Sequence, residues 1–61
     1  MKLPDDPNML YSILNMKLRD FYPSLSALCE DMEVDSKELE KRLREAGFLY
    51  DSGQNRIVSS Y

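Results

Sequence analysis

Apolar residues recur along the first third of the chain at Leu10, Ile13, Leu14, Leu18 and Phe21, three or four positions apart. That spacing gathers them on one face of an α-helix. Asp6-Pro7 provides a start, because aspartate caps orphan amides and proline is pre-set for the first helical position. Pro23 pushes Tyr22 out of the helical region, so the pattern predicts a helix over 7–21. Leu25, Leu28, Cys29 and Met32 follow with the same period behind Ser24, predicting a second helix over 24–32.

The third element is the best specified. Asp35 and Glu38 stand at capping-box spacing, and Val34 and Leu39 stand where a hydrophobic staple would. Gly47 suits a left-handed cap, with Phe48 placed to pack back on Leu43. These signals predict a helix over 36–46. Beyond it, FLY and RIV are short β-prone runs around DSGQN, whose Gly53 is free to take positive φ, and they predict a hairpin over 48–58.

The expected fold class is mainly α: a three-helix, helix-turn-helix-like bundle with a small C-terminal β-hairpin, in the order of a reduced winged helix. The turn between the second and third helices lacks the usual glycine. Glu33 stands there instead, and a non-glycine residue at positive φ costs ~1–2 kcal/mol. The sequence therefore points to a looser meeting of those helices than a groove-reading pair needs.

A chain of 61 residues makes a single domain, 1–61, with one core. It buries only about 60% of the surface its unfolded form exposes, for a stability of ~3–5 kcal/mol. One cysteine and no histidine exclude an internal disulfide and a zinc finger. DMEVDS is not a calcium loop, since the glycine is missing and Arg42 falls where the twelfth-position glutamate belongs. No cofactor, metal or catalytic residue is expected, and the chain is not read as an enzyme. The start MKLPDDP has no signal-peptide core and no run is long enough to span a membrane, so a cytoplasmic protein is expected.

The segments DPNML, NMKLRDFYPSL, the VD-led third helix and GFLYDSGQNR, from about Leu3 to Ile57, resemble a family of short bacterial proteins classed as a domain of unknown function (family 4250). The resemblance implies a complete, free-standing domain of bacterial cytoplasmic type. It implies no activity, ligand or partner, because none is established for the family.

Charge then narrows the surfaces. The net charge of −3 disfavours generic polyanion binding. The acids concentrate before residue 36, whereas Lys37, Lys41, Arg42, Arg44 and Arg56 slightly outnumber Glu38, Glu40, Glu45 and Asp51 after it. Lys37, Lys41 and Arg44 fall on the outward side of the third helix and, with Arg56 on the hairpin, are the candidate nucleic-acid contacts. The competing reading is a solvated helix laced by Glu38–Arg42, Glu40–Arg44 and Lys41–Glu45 pairs.

On the first helix Asn8, Ser12, Asn15 and Arg19 form a polar stripe opposite the core face. Asn and Ser are poor helix formers, so Asn8, Asn15 and Arg19, with Met9 and Met16 beside them, are candidate protein contacts for a partner or a homodimer. Lys17 is expected to lay its stem on the core and to reach water, Asp20 or Asp31. Cys29 is expected to be a buried small hydrophobe. Tyr11, Tyr22, Tyr50 and Tyr61 are expected at the rim, with Tyr50 and Arg56 also suited to a wing-type contact. Two binding functions remain, a DNA-binding or regulatory module and a protein-interaction domain.

Overall fold

The computed structural model describes residues 3–60, and the expected rim position of Tyr61 lies outside them. Helix α1 spans Pro7–Asp20, α2 Leu25–Met32 and α3 Ser36–Glu45, followed by strands β1 (Phe48–Asp51) and β2 (Arg56–Ser59). The mainly α class with a C-terminal hairpin is the observed one.

Each helix starts on the residue its sequence marks. Asp6 Oδ1 accepts from the Asn8 amide at 2.9 Å, and Ser24 Oγ from the Ala27 amide at 3.1 Å. Asp35 Oδ1 accepts from Lys37 at 2.9 Å and Glu38 at 3.4 Å. Among the described residues the return bond from the Glu38 side chain, which would complete a capping box, is not made.

The ends differ more from expectation. Helix α1 stops one residue early, because Phe21 leaves the helical region at φ −125°. Its ring therefore misses the core face it was expected to join and stays 68% exposed. The Lys17 ammonium lies 6.0 Å from the centre of that ring, so the ring, not Asp20 or Asp31, is its neighbour.

Helix α2 ends on Glu33, which does adopt the left-handed conformation at φ 57°, ψ 45°. The Val34 amide reaches the Cys29 carbonyl at 2.8 Å and the Glu33 amide the Glu30 carbonyl at 3.4 Å, a Schellman closure. The turn forms despite its missing glycine, and the strain is retained. Glu33→Gly is expected to raise stability by about 0.5–1 kcal/mol, a Tm increase of roughly 4 °C. Thermal denaturation followed by circular dichroism checks it, and an unchanged or lower Tm contradicts the strain.

Helix α3 ends at Glu45, one residue short of the expected 46, and Gly47 takes the expected left-handed cap at φ 88°. In the hairpin loop, however, the left-handed residue is Asn55 at φ 52°, not Gly53. Asp51 Oδ1 accepts from the Gly53 and Gln54 amides at 2.9 and 3.3 Å, fixing the start of the turn without positive φ there.

One core draws on three helices and β2, with Leu3, Leu10, Leu14, Leu18, Leu25, Leu28, Cys29, Leu39, Leu43 and Ile57 buried, and the partly buried Phe48 and Tyr50 of β1 pack against it. Leu14, Leu28 and Ile57 are fully enclosed, so α1, α2 and β2 meet at its centre. Strand β2 lies against α1, and β1 against α3. Phe48 stacks on Tyr11 with ring centroids 4.8 Å apart. The N-terminal segment is held by Arg42, whose Nη2 donates to the Pro4 carbonyl at 2.9 Å.

Candidate functional site

The polar side chains of α1 serve two different ends. Asn15, half-buried, donates through Nδ2 to the Ile57 carbonyl at 3.1 Å and accepts the Ile57 amide on Oδ1 at 2.6 Å. Its amide thus imitates a neighbouring strand for β2, and that use removes Asn15 from the set free to meet a partner. Asn8, Met9, Met16 and Arg19 remain exposed.

Asn55 does the corresponding work from the hairpin. Its Nδ2 donates to the Leu18 and Tyr22 carbonyls at 3.1 and 2.9 Å, satisfying orphan acceptors at the end of α1. Its Oδ1 accepts the Tyr50 hydroxyl at 2.7 Å, and the Tyr50 oxygen accepts the Leu25 amide at 3.3 Å. Tyr50 is thereby committed to the scaffold, not presented as a wing-tip aromatic.

Between α1 and the hairpin this arrangement leaves a groove of about 630 Å³, lined by Ser12, Asn15, Met16, Arg19, Gln54 and Arg56 among others. Arg19 is held by its neighbour: Nε meets Asp20 Oδ1 and Nη2 meets Oδ2, both at 3.0 Å. The hydrogen bonds and charge of that pair lower the Asp20 pKa and raise that of Arg19. Arg56, across the groove, has no ion-pair or hydrogen-bond partner for its side chain among the described residues.

The candidate nucleic-acid residues are not all brought together. Lys37, Lys41 and Arg44 share the exposed side of α3, while Arg56 is turned to the α1 groove. None of the expected pairs Glu38–Arg42, Glu40–Arg44 or Lys41–Glu45 forms among the described residues, where the ion pairs are Arg19–Asp20 and Arg42–Asp5. Glu38, Glu40 and Glu45 are nonetheless exposed on the same helix, flanking the three cations.

Other chemistry is sparse. Cys29 is buried, and burial, aided by the charges of Glu40 and Asp35, raises its thiol pKa away from the reactive range. Tyr22 donates its hydroxyl to Asp31 Oδ2 at 2.5 Å, a bond that raises the phenol pKa. Among the described residues no group of three or more His, Cys, Asp or Glu side chains is placed to hold a metal ion, and no helix is long and apolar enough to cross a membrane.

Residues 4–57 match the family described as Domain of unknown function (DUF4250). The chain belongs to that family. The match covers all three helices and the loop of the hairpin, so the α1–hairpin groove lies within the family's domain. No curated protein and no solved structure matches the chain.

Proposed function

We propose that the chain is a protein-interaction module whose groove between α1 and the hairpin takes an acidic segment of a partner protein. The observation that carries this is the Arg56 guanidinium, unpaired among the described residues, which with Gln54 lines the hairpin side of a cleft of about 630 Å³ whose α1 side carries Ser12 and Met16. A guanidinium offers paired donors to a carboxylate. Gln54 and Ser12 can meet backbone groups, and Met16, 39% exposed, offers an adaptable apolar contact beside them. In a chain of net charge −3 a local cationic cleft selects for a partner that presents its acids at one place.

A second reading, a DNA-binding module of winged-helix-like shape, is favoured by Lys37, Lys41 and Arg44 on one side of α3, which form no ion pair among the described residues. It ranks lower because Glu38, Glu40 and Glu45 border those cations and Arg56 is directed elsewhere. Phosphate binding rests on summed positive charge, which is small here.

Amide spectra of the labelled protein separate the two. Titration with a pool of Asp/Glu-rich peptides each carrying one Leu or Phe is expected to shift Ser12, Met16, Arg19, Gln54 and Arg56. Arg56→Glu is expected to weaken that binding at least about tenfold, or ~1.4 kcal/mol. Titration with a random-sequence duplex at low salt that instead shifts Lys37, Lys41 and Arg44, with no peptide response, overturns the first reading in favour of the second.

A further inference from the structure

The phase of the hairpin ladder follows from its ends. Phe48 faces Ser59, Leu49 faces Val58, Tyr50 faces Ile57 and Asp51 faces Arg56. Just beyond the strands the Ser60 amide donates to the Gly47 carbonyl at 2.8 Å. In an antiparallel ladder bonded pairs alternate with unbonded ones, so Leu49/Val58 and Asp51/Arg56 exchange backbone hydrogen bonds. Tyr50/Ile57 and Phe48/Ser59 do not. The Asn15 clamp agrees, because both backbone groups of Ile57 are turned away from β1 and engaged by a side chain.

The same alternation turns the N–H and C=O groups of Phe48 and Tyr50 outward along the free edge of β1. Among the described residues none of these four groups has a hydrogen-bond partner. The two edges of the sheet are therefore unequal: β2 is closed at Ile57 by Asn15, and β1 is open. Proteins commonly blunt such an edge with lysine or proline, and Phe48–Asp51 contains neither. Beside it lies a cleft of about 220 Å³ lined by Glu40, Leu43, Arg44, Leu49 and Tyr50.

We propose that β1 pairs antiparallel with β1 of a second copy of the chain, joining two hairpins into a four-stranded sheet across a two-fold axis. The strand is self-complementary in this phase. With Leu49 facing Leu49 of the second copy as an unbonded pair on the axis, Phe48 of each copy exchanges both backbone bonds with Tyr50 of the other. Leu49 is 44% exposed, a large apolar side chain that this contact covers. The adjoining cleft carries one acid, Glu40, and one base, Arg44, a combination that complements itself under two-fold rotation. A sheet of two strands is marginal alone, and four strands remove its remaining open inner edge. This surface is distinct from the α1 groove, and its test uses no peptide.

Sedimentation equilibrium of the full chain is expected to show a dimer that dissociates on the order of 100 μM, as befits a small interface. Leu49→Lys, which leaves every intrachain hydrogen bond in place, is expected to weaken it at least tenfold with an unchanged melting temperature. Leu49→Cys is expected to form a disulfide-linked dimer in air, since unbonded pairs bring Cβ atoms close. Val58→Cys, on β2, the strand farther from the two-fold axis, is expected to form none. A chain that stays monomeric at ~1 mM overturns the proposal. So does cross-linking at position 49 no faster than at position 58.

Discussion

Replacing Asn55 with alanine is expected to destabilise the fold by about 3 kcal/mol, a large share of the stability of so small a chain. Two effects add. The side chain bonds the Leu18 and Tyr22 carbonyls and the Tyr50 hydroxyl, so its loss orphans part-buried groups at ~0.5–1.5 kcal/mol each. The backbone sits at φ 52°, which asparagine tolerates far better than alanine, by ~1 kcal/mol. Asn55→Gly keeps the conformation and loses only the bonds, so it is expected to cost about 1 kcal/mol less than Asn55→Ala. Urea denaturation of the two variants makes the comparison. Equal losses would show that the left-handed backbone carries no cost, and losses below ~0.5 kcal/mol in both would show the network idle.

Asn15→Leu is the second large effect, an expected loss of about 2–3 kcal/mol. Leucine keeps the branching at Cγ, is larger rather than smaller, and has a better helix propensity, so neither a cavity nor helix weakening confuses the result. What it removes is the pair of bonds at 2.6 and 3.1 Å to Ile57, a residue buried in the core whose outward backbone groups are then left without a partner. Native-state hydrogen exchange gives the site-specific check. The Ile57 amide should lose protection beyond the global change, while the amides of α3 track global stability alone. Equal loss everywhere would place the effect in general packing.

The helices and their caps were legible because their signals are local. Asp6, Ser24, Asp35 and Gly47 each act within a few residues of themselves, and the apolar period names the core face directly. Phe21 misled because periodicity does not say where a helix stops, and one residue decides whether a ring meets the core or water. Gly53 misled for a related reason. Glycine is the default for positive φ, yet Asn55 takes that place because its amide reaches the carbonyls at the end of α1.

The candidate surfaces were legible as residue types and not as arrangements. Asn15 was correctly singled out as an unusual helix residue, but its explanation lies 42 positions away at Ile57. No spacing rule connects the two. The sequence groups Arg56 with the α3 cations as the wing-type contact of a reduced winged helix. Which helix it joins depends on how the hairpin docks, and β2 docks on α1.

The two asparagine ties also bear on the order of assembly. They close separations of 42 and 37 residues, so each requires most of the chain to be gathered before a single bond forms. Helical turns with their caps carry no such entropic delay. The amides of Asn15 and Asn55 are therefore expected to act as latches that shut late, so that weakening them speeds reopening of the closed molecule more than it slows its formation.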